Sequence, residues 1–352
     1  MAPNNKLALL FSFLAACAIA RAADNHPVLA AVCGPAQGTV RVDGLANEAA
    51  WRDAAVLTHF TIFGSFSPAS PQSIARVCYD SAHLYLHVKF IEPEVHKLVA
   101  KATNRDGAVW FDDSVEVFID PTHDHEHYFQ FVVNSLGTQF DKRGADAEGW
   151  NADWQAAAHV DHGWWAVELA FPFRTLGLKT PRPGQVIGFN VCRERYAGKR
   201  QLSHWSRTPR SFHDCPYFGH LVFADGSDLL PGGEWLAQLG ADGRTVNVWT
   251  AAGRTRCDSR RSLLAAGHDA TFQRVRQRVQ EVEANIDHVR KAELRKRLAA
   301  IQAGLAAAEK AAATDATISP EAYLRLRASL ADLANRSSEL DWDIKFAELF
   351  GD

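Results

Sequence analysis

Between Ser73 and Phe223 apolar residues recur at every second position in short runs separated by turn residues, and no run there steps by three and four. Segments with that period bury one face each and must pair into sheets to do so. Ser73 to Tyr79 and His83 to Ile91 are predicted to form a hairpin around Asp80-Ser81-Ala82, with Leu84, Leu86, Val88 and Phe90 inward and Tyr85, His87 and Lys89 outward. Further strands are predicted from Asp113 to Asp120, Glu126 to Asn134, Trp154 to Val160, Trp164 to Phe171 and Ile187 to Arg195, with shorter ones near Ser203 to Ser206 and at Gly219 to Phe223. Upstream, Thr39 to Gly44 reads as a short strand and turn, and Glu48 to Trp51 as a helical turn that buries Trp51. Roughly ten short strands with no amphipathic helix among them imply a mainly β chain folded as an antiparallel β-sandwich or jelly roll, here assigned to residues 33–225.

At Asp225-Gly226 the composition changes. Residues 226–266 read as a linker with local structure, including a strand at Thr245 to Thr250, and residues 267–345 as a C-terminal α-helical hairpin. In its first arm Phe272, Val275, Val279, Val282, Ile286 and Val289 step by three and four, and Leu294, Leu298, Ile301, Leu305 and Ala308 resume after a five-residue gap that shifts the face near Lys291. Ser319-Pro320 caps the second arm, which carries Leu326, Leu330, Leu333 and Leu340. Three covers are open for the stripe: the sandwich, a partner protein, or a second copy of the hairpin. Charges of both signs on the outer helix surface, and a net charge of -3, give no patch for nucleic acid.

Lys6 followed by the apolar run Leu7 to Ala16 and then small residues has the layout of a signal peptide, taken as residues 1–22, which implies export to the periplasm, the extracellular space or the outer membrane of a bacterium. Two processing points compete. Ala20-Arg21-Ala22 suits ordinary cleavage, whereas Leu14-Ala15-Ala16-Cys17 resembles a lipobox whose Cys17 would carry a lipid anchor. Cys33, Cys78, Cys192, Cys215 and Cys257 lack the paired spacing of a zinc site, and in an oxidising compartment one or two disulfides with a thiol left over are expected.

The run Trp110 to Asp120 joins a ring, an acidic cluster and a strand. Val115, Val117 and Ile119 fall on one face, and Ser114, Glu116 and Phe118 on the other. Trp110 precedes the alternation, so its ring is expected at the end of the sheet, beside Glu116 on the outward face. A flat apolar ring next to a carboxylate suits a polyhydroxylated ligand.

Val42-Asp43-Gly44 with Glu48 and Trp51, Tyr79-Asp80 with Leu84-Tyr85, Trp110 with Asp113 to Asp120, Phe131 with Asn134 and Gly137, Gly163-Trp164 with Val167-Glu168, Gly188-Phe189-Asn190 with Arg193, and Trp205-Ser206 with Phe218-Gly219 occur in that order. In this ordered series the chain from about 38 to 224 resembles family 9 carbohydrate-binding modules. The resemblance implies a non-catalytic jelly roll that binds the reducing ends of glucan and xylan chains, holds a terminal sugar between two Trp rings and carries structural calcium. By motif position Trp110 and Trp205 would be those rings, Glu116 a bidentate hydroxyl acceptor, and Asn134 and Arg193 further ligand groups; Asn134 could instead form an Asx turn and Arg193 pair with an acid. Members of the family with characterised sugar sites tend to place a basic side chain in the strand that ends at Asn134, where this chain has Val132, which implies that reducing-end recognition is altered or lost. Asp120, Asp124 and Glu126 are the candidate calcium ligands, in a loop that also holds His123, His125 and His127. Fold relatives that bind haem use Met with His or Lys, and Met1 is the only Met here, so no haem is expected.

Two other readings compete with a sugar-binding module. In one, Glu116 and Glu168 act as a glycosidase pair, which needs carboxyls about 5 to 9 Å apart. In the other, the sandwich has lost its sugar site and the helices make the protein a scaffold.

Overall fold

A computed structural model describes residues 27–144, 149–225, 245–251, 253–257, 272, 275–286, 292–314 and 320–350. The signal segment, Cys17 and most of the 226–266 linker lie outside them. The strands are β1 (Val28–Pro35), β2 (Ala55–Leu57), β3 (Thr61–Ile62), β4 (Ser73–Tyr79), β5 (His83–Ile91), β6 (Ser114–Asp120), β7 (Phe129–Asn134) and β8 (Gln139–Arg143). They continue with β9 (Gln155–Asp161), β10 (Trp164–Pro172), β11 (Val186–Arg195), β12 (Gln201–His204), β13 (Gly219–Phe223), β14 (Val246–Thr250) and β15 (Gly253–Cys257). Hydrogen bonds connect them in the order β8-β7-β6-β11-β13-β1-β4-β5-β10-β9, a sheet folded on itself into a nearly closed sandwich.

The alternation explains the folding. Val115, Val117 and Ile119 of β6, Phe131 and Val133 of β7, and Phe189 and Val191 of β11 pack from one side onto Leu86, Val88 and Phe90 of β5 and Trp165, Val167 and Leu169 of β10 from the other. Trp165 stacks on its cross-strand neighbour Phe90 with ring centroids 4.1 Å apart. Such a pair adds about 1 kcal/mol to the burial of each ring. The Asp80-Ser81-Ala82 turn closes as its residues predict, with Ala82 and His83 backbone amides donating to Asp80 Oδ1 at 2.7 Å each.

The sandwich is antiparallel except at β1, which pairs in parallel with β13, β14 and β4. This strand joins the two halves. Its run Val28-Leu-Ala-Ala-Val-Cys33 has no alternation because both faces are packed: Ala31 and Cys33 reach the main core, and Val28, Ala30 and Val32 a second cluster with Val246 and Val248. Thr39 to Gly44, expected as the first strand, joins no ladder; it crosses outside β5 and β10, where Val40 and Val42 pack near Trp51 and Tyr85. The outward face of that half is therefore covered, and Tyr85 and His87, read as outward, are buried. All five described cysteines are buried, and the expected disulfides do not form among the described residues.

The C-terminal region is a three-helix cluster rather than a two-helix hairpin. Its helices are α1 (residues 275–286), α2 (Ala292–Thr314) and α3 (Pro320–Phe350). Val289 and Lys291, at the five-residue gap in the apolar stripe, lie outside the described residues; α1 and α2 lie side by side, with Arg276 Nε donating to Glu309 at 2.7 Å. Val275, Val279, Val282 and Ile286 pack with Leu298 and Ile301 of α2 and with Leu330, Leu333, Leu340 and Ile344 of α3. The stripes thus cover one another.

One close approach gives a test of the packing. At Gly219 an added Cβ would lie 2.5 Å from Trp205 Cζ3 and 3.2 Å from the Leu29 carbonyl oxygen. Gly219→Ala is expected to destabilise the sandwich by about 1–3 kcal/mol, read as a lower urea midpoint with an unchanged slope.

Candidate functional site

β6 turns Ser114, Glu116, Phe118 and Asp120 away from the core, with Gln130, Val132 and Asn134 of β7 on one side and Asn190, Cys192 and Glu194 of β11 on the other. This outer face has two halves. Toward Asp120 it is dry, because Phe118, Tyr128 and Cys192 pack under Phe212, Cys215 and Phe218 from the loop after β12. Toward Ser114 it is polar and carries aromatic residues at its rim.

In the polar half Gln130 Nε2 donates to Glu116 Oε2 at 2.7 Å. Glu194 lies beside Glu116 on the same face of neighbouring strands, and the two carboxyls influence each other. Burial raises both, and the charge of Glu116 raises Glu194 further, so the pair retains a proton above the ordinary carboxylate range. Arg200 lies 3.9 Å from Glu194 and 5.2 Å from the centroid of Tyr196. The Tyr196 hydroxyl donates to the Trp110 carbonyl at 3.3 Å. Trp110 meets Phe140 edge-on at 5.0 Å, and Phe140, Val132 and Glu116 follow one another across β8, β7 and β6. These contacts make a circuit: Trp110, Phe140, Val132, Glu116, Glu194, Arg200, Tyr196 and back to Trp110. Trp110, Phe140 and Tyr196 are half-buried, and Phe111 beside them is 61% exposed.

Two adjacent buried carboxylates hold this rim. Asp113 accepts from the backbone amides of Val99, Tyr196 and Ala197 at 2.8, 2.9 and 3.2 Å. Asp112 accepts from Lys101 and Ala102 amides and from Asn134 Nδ2, each at 2.9 Å. The loop before β6 and the loop after β11, which bear Trp110 and Tyr196, are thereby fixed to the sheet end.

Of the residues expected to bind ligand, Trp110 and Glu116 belong to this circuit and three do not. Asn134 is fully committed: its amide nitrogen also donates to the Ala102 carbonyl, and its oxygen accepts from Leu136 and Thr138 amides, so the Asx-turn alternative describes it. Arg193 is buried on the core side, pairs with Glu92 at 2.9 Å and lies over Phe90 at 5.2 Å. Burial there lowers its guanidinium to about 10. Trp205 is 1% exposed, packed 6.2 Å from Phe189 and 5.3 Å from Trp249. So enclosed an indole offers no free face to a sugar, and the expected Trp110–Trp205 sandwich is not formed.

The loop residues do not make a calcium cage as placed. Asp120 is buried and accepts from the His125 amide at 2.9 Å, Asp124 accepts from Glu126 and His127 amides at 2.9 Å each, and Glu126 is exposed. His123 is paired to His220 at 2.8 Å and His127 to Asp124 at 2.9 Å. Among the described residues no group of three His, Cys, Asp or Glu is arranged to hold a metal. Glu168, offered as the partner of Glu116 in a glycosidase, lies on the outer face of the opposite half, where it accepts from Asp43 and Gly44 amides and from Trp51 Nε1 at 2.8–2.9 Å. The two glutamates are not brought together.

Sequence reading passed over Glu194, Tyr196, Phe140 and Arg200. The alternation of β11, with Ile187, Phe189 and Val191 inward, carried enough signal to place Glu194 beside Glu116. Tyr196, Phe140 and Arg200 reach the site through loop and cross-strand geometry that a linear pattern does not encode.

The strand ladders and the aromatic rim together describe a two-sheet sandwich with a polar patch at one sheet end. The profile of the family described as carbohydrate family 9 binding domain-like matches residues 42–225, and the chain belongs to that family. Among solved structures it is similar to a protein from Bacteroides uniformis ATCC 8492, with TM-score 0.46 and 18% identity over 56% of this chain and 100% of that one. It is also similar to a family 9 carbohydrate-binding module from Caldicellulosiruptor kristjanssonii. The complex of that module with cellotriose gives TM-score 0.42 and 15% identity over 56% of this chain and 94% of that one, and the complex with glucose 0.42 and 16% over 55% and 96%. No curated protein matches the chain.

The carboxyl pair makes stability depend on pH. Both folded-state values are raised, so the stability present at acid pH, below the unfolded carboxyl value, is lost as pH rises through the folded ones. Between pH 5 and pH 9 the wild type is expected to lose on the order of 2 kcal/mol more than Glu194→Gln in urea denaturation. Parallel losses in the two proteins would show that the carboxyls do not share a proton.

Proposed function

We propose that this chain is an exported, non-catalytic carbohydrate-binding protein whose ligand lies on the polar half of the β8-β7-β6-β11 face. One observation carries the reading: three half-buried aromatic rings, Trp110, Phe140 and Tyr196, stand around the hydrogen-bonded Gln130 and Glu116 and the neighbouring Glu194 at the end of the sheet. The C–H face of a pyranose packs on an indole, and its hydroxyls exchange hydrogen bonds with amide, carboxyl and guanidinium groups, here Gln130, the glutamates and Arg200. Membership of a carbohydrate-binding family supports the ligand class, and similar modules bind cellotriose and glucose. The Lys6 to Ala16 pattern supports export. The separation of Glu116 from Glu168 on opposite outer faces weighs against the glycosidase reading.

The test is calorimetric titration of cellotriose and xylotriose into the wild type and Trp110→Ala. A loss of affinity of about tenfold or more is expected in the variant, with the urea midpoint nearly unchanged because the ring is half-exposed. Equal binding by both proteins would move the sugar site elsewhere.

A further inference from the structure

The two most exposed large apolar side chains among the described sandwich residues both lie at the sheet end that carries the aromatic rim. Phe111 is 61% exposed, and Leu136, in the turn between β7 and β8, is 59% exposed. That turn is tied to the same end by the Ser135 amide, which donates to the Asp113 carbonyl at 3.1 Å. Single exposed apolar residues are common on soluble proteins. Two at one sheet end, beside Trp110, Phe140 and Tyr196, continue the rim.

Phe111 is held where it stands. The short 3-10 turn Val109–Phe111 that bears it is anchored on both sides, with Val109 buried before the ring and Asp112 buried after it. The Phe111 amide donates to the Ala108 carbonyl and the Asp112 amide to the Val109 carbonyl, at 3.1 Å each. The Asp112 carboxylate in turn takes the Lys101 and Ala102 amides and the Asn134 side chain. An apolar ring held out in water by a buried frame meets a ligand at little ordering cost.

Its relation to Trp110 limits what that ligand is. The two ring centroids are 5.8 Å apart and their planes meet at 49°. Holding one sugar between two rings needs a contact of about 3.5–4 Å on each side, hence centroids about 7–8 Å apart and near-parallel planes. This pair is too close and too tilted for that. Nor do two planes at such an angle lie together on one flat surface. They suit consecutive residues of a single chain whose units turn relative to one another, one residue on each ring.

Resting on the sugar-face reading, we infer that Phe111 is a second subsite beside Trp110, and that the ligand is a free oligosaccharide chain rather than a lone sugar or the flat face of a crystalline glycan. The second pyranose packs a C–H face on Phe111 as the first does on Trp110.

The experiment titrates glucose, cellotriose, xylose and xylotriose by calorimetry into the full chain, Phe111→Ala and Trp110→Ala. In at least one of the two series the wild type is expected to bind the trisaccharide about tenfold or more tighter than the monosaccharide. Phe111→Ala is expected to abolish that gain and to leave monosaccharide affinity and the urea midpoint unchanged, whereas Trp110→Ala weakens both sugars. No gain in the wild type, or a gain that survives in Phe111→Ala, would overturn the second subsite and leave the sugar face standing. An equal loss for both sugars in Phe111→Ala would put that ring in the first sugar's site and overturn it too. Absence of binding in both series would overturn the sugar face and the subsite together. Microcrystalline cellulose is expected to retain the wild type and Phe111→Ala alike; lower retention of the variant would overturn the single-chain form of the ligand.

Discussion

A carboxylate taken out of water needs donors, and backbone amides at strand ends need acceptors; Asp112 and Asp113 meet both needs at one place. Together they take five amides from residues 99–102 and 196–197, plus the Asn134 side chain. Without them the loops on either side of β6 and β11 would have orphaned N–H groups next to an apolar core, each costing about 1–3 kcal/mol. The aromatic rim hangs from those loops. Glu168 performs the same service in the opposite half, holding Asp43, Gly44 and Trp51 across β10, and Glu92 does so for Arg193 and Arg195. Most of the described buried acids are fasteners for cover segments, whereas Glu116 and Glu194 are set one carboxyl against the other.

That division explains what could be read from the residues. The ladders were legible because each inward face is strictly alternating: β4, β5 and β13 begin and end where the pattern predicts. The main exception is β1, whose continuous apolar run lacks the alternation because both its faces are packed. The supposed wet faces were the larger error. Period-two patterning tells which residues share a side but not what lies over that side, and here a crossing segment covers β5 and β10 while the loop after β12 covers half of β6. Residues at motif positions, Asn134 and Arg193, therefore read as ligand groups when their partners were loop amides and Glu92.

Trp205 shows the same limit from another side. As a motif residue it suggests a sugar platform; as a packed residue it fills the space opposite Gly219 and meets Trp249, which the family-matched segment does not contain. A ring that is a surface in one protein becomes a wall in another once a further hairpin is laid beside it. The β14–β15 pair thus alters the chemistry of a position far from it in sequence without changing the sheet order around β6.

The placement of β1 has a bearing on how the chain comes together. Its partners are β4, about 44 residues away, β13 about 190 away and β14 about 218 away, all in parallel. In a polypeptide emerging N-terminus first, the earliest strand is the last to find its place, and it must wait with both edges open while the hairpins downstream of it form. The halves of the sandwich can assemble locally, β4 with β5 and β6 with β7, but the seam between them closes only after synthesis has passed Phe223, and β14 joins β1 once it has passed Thr250. Completion of the sheet is thereby tied to the segment that leads into the helices, so this module ripens as part of a longer chain.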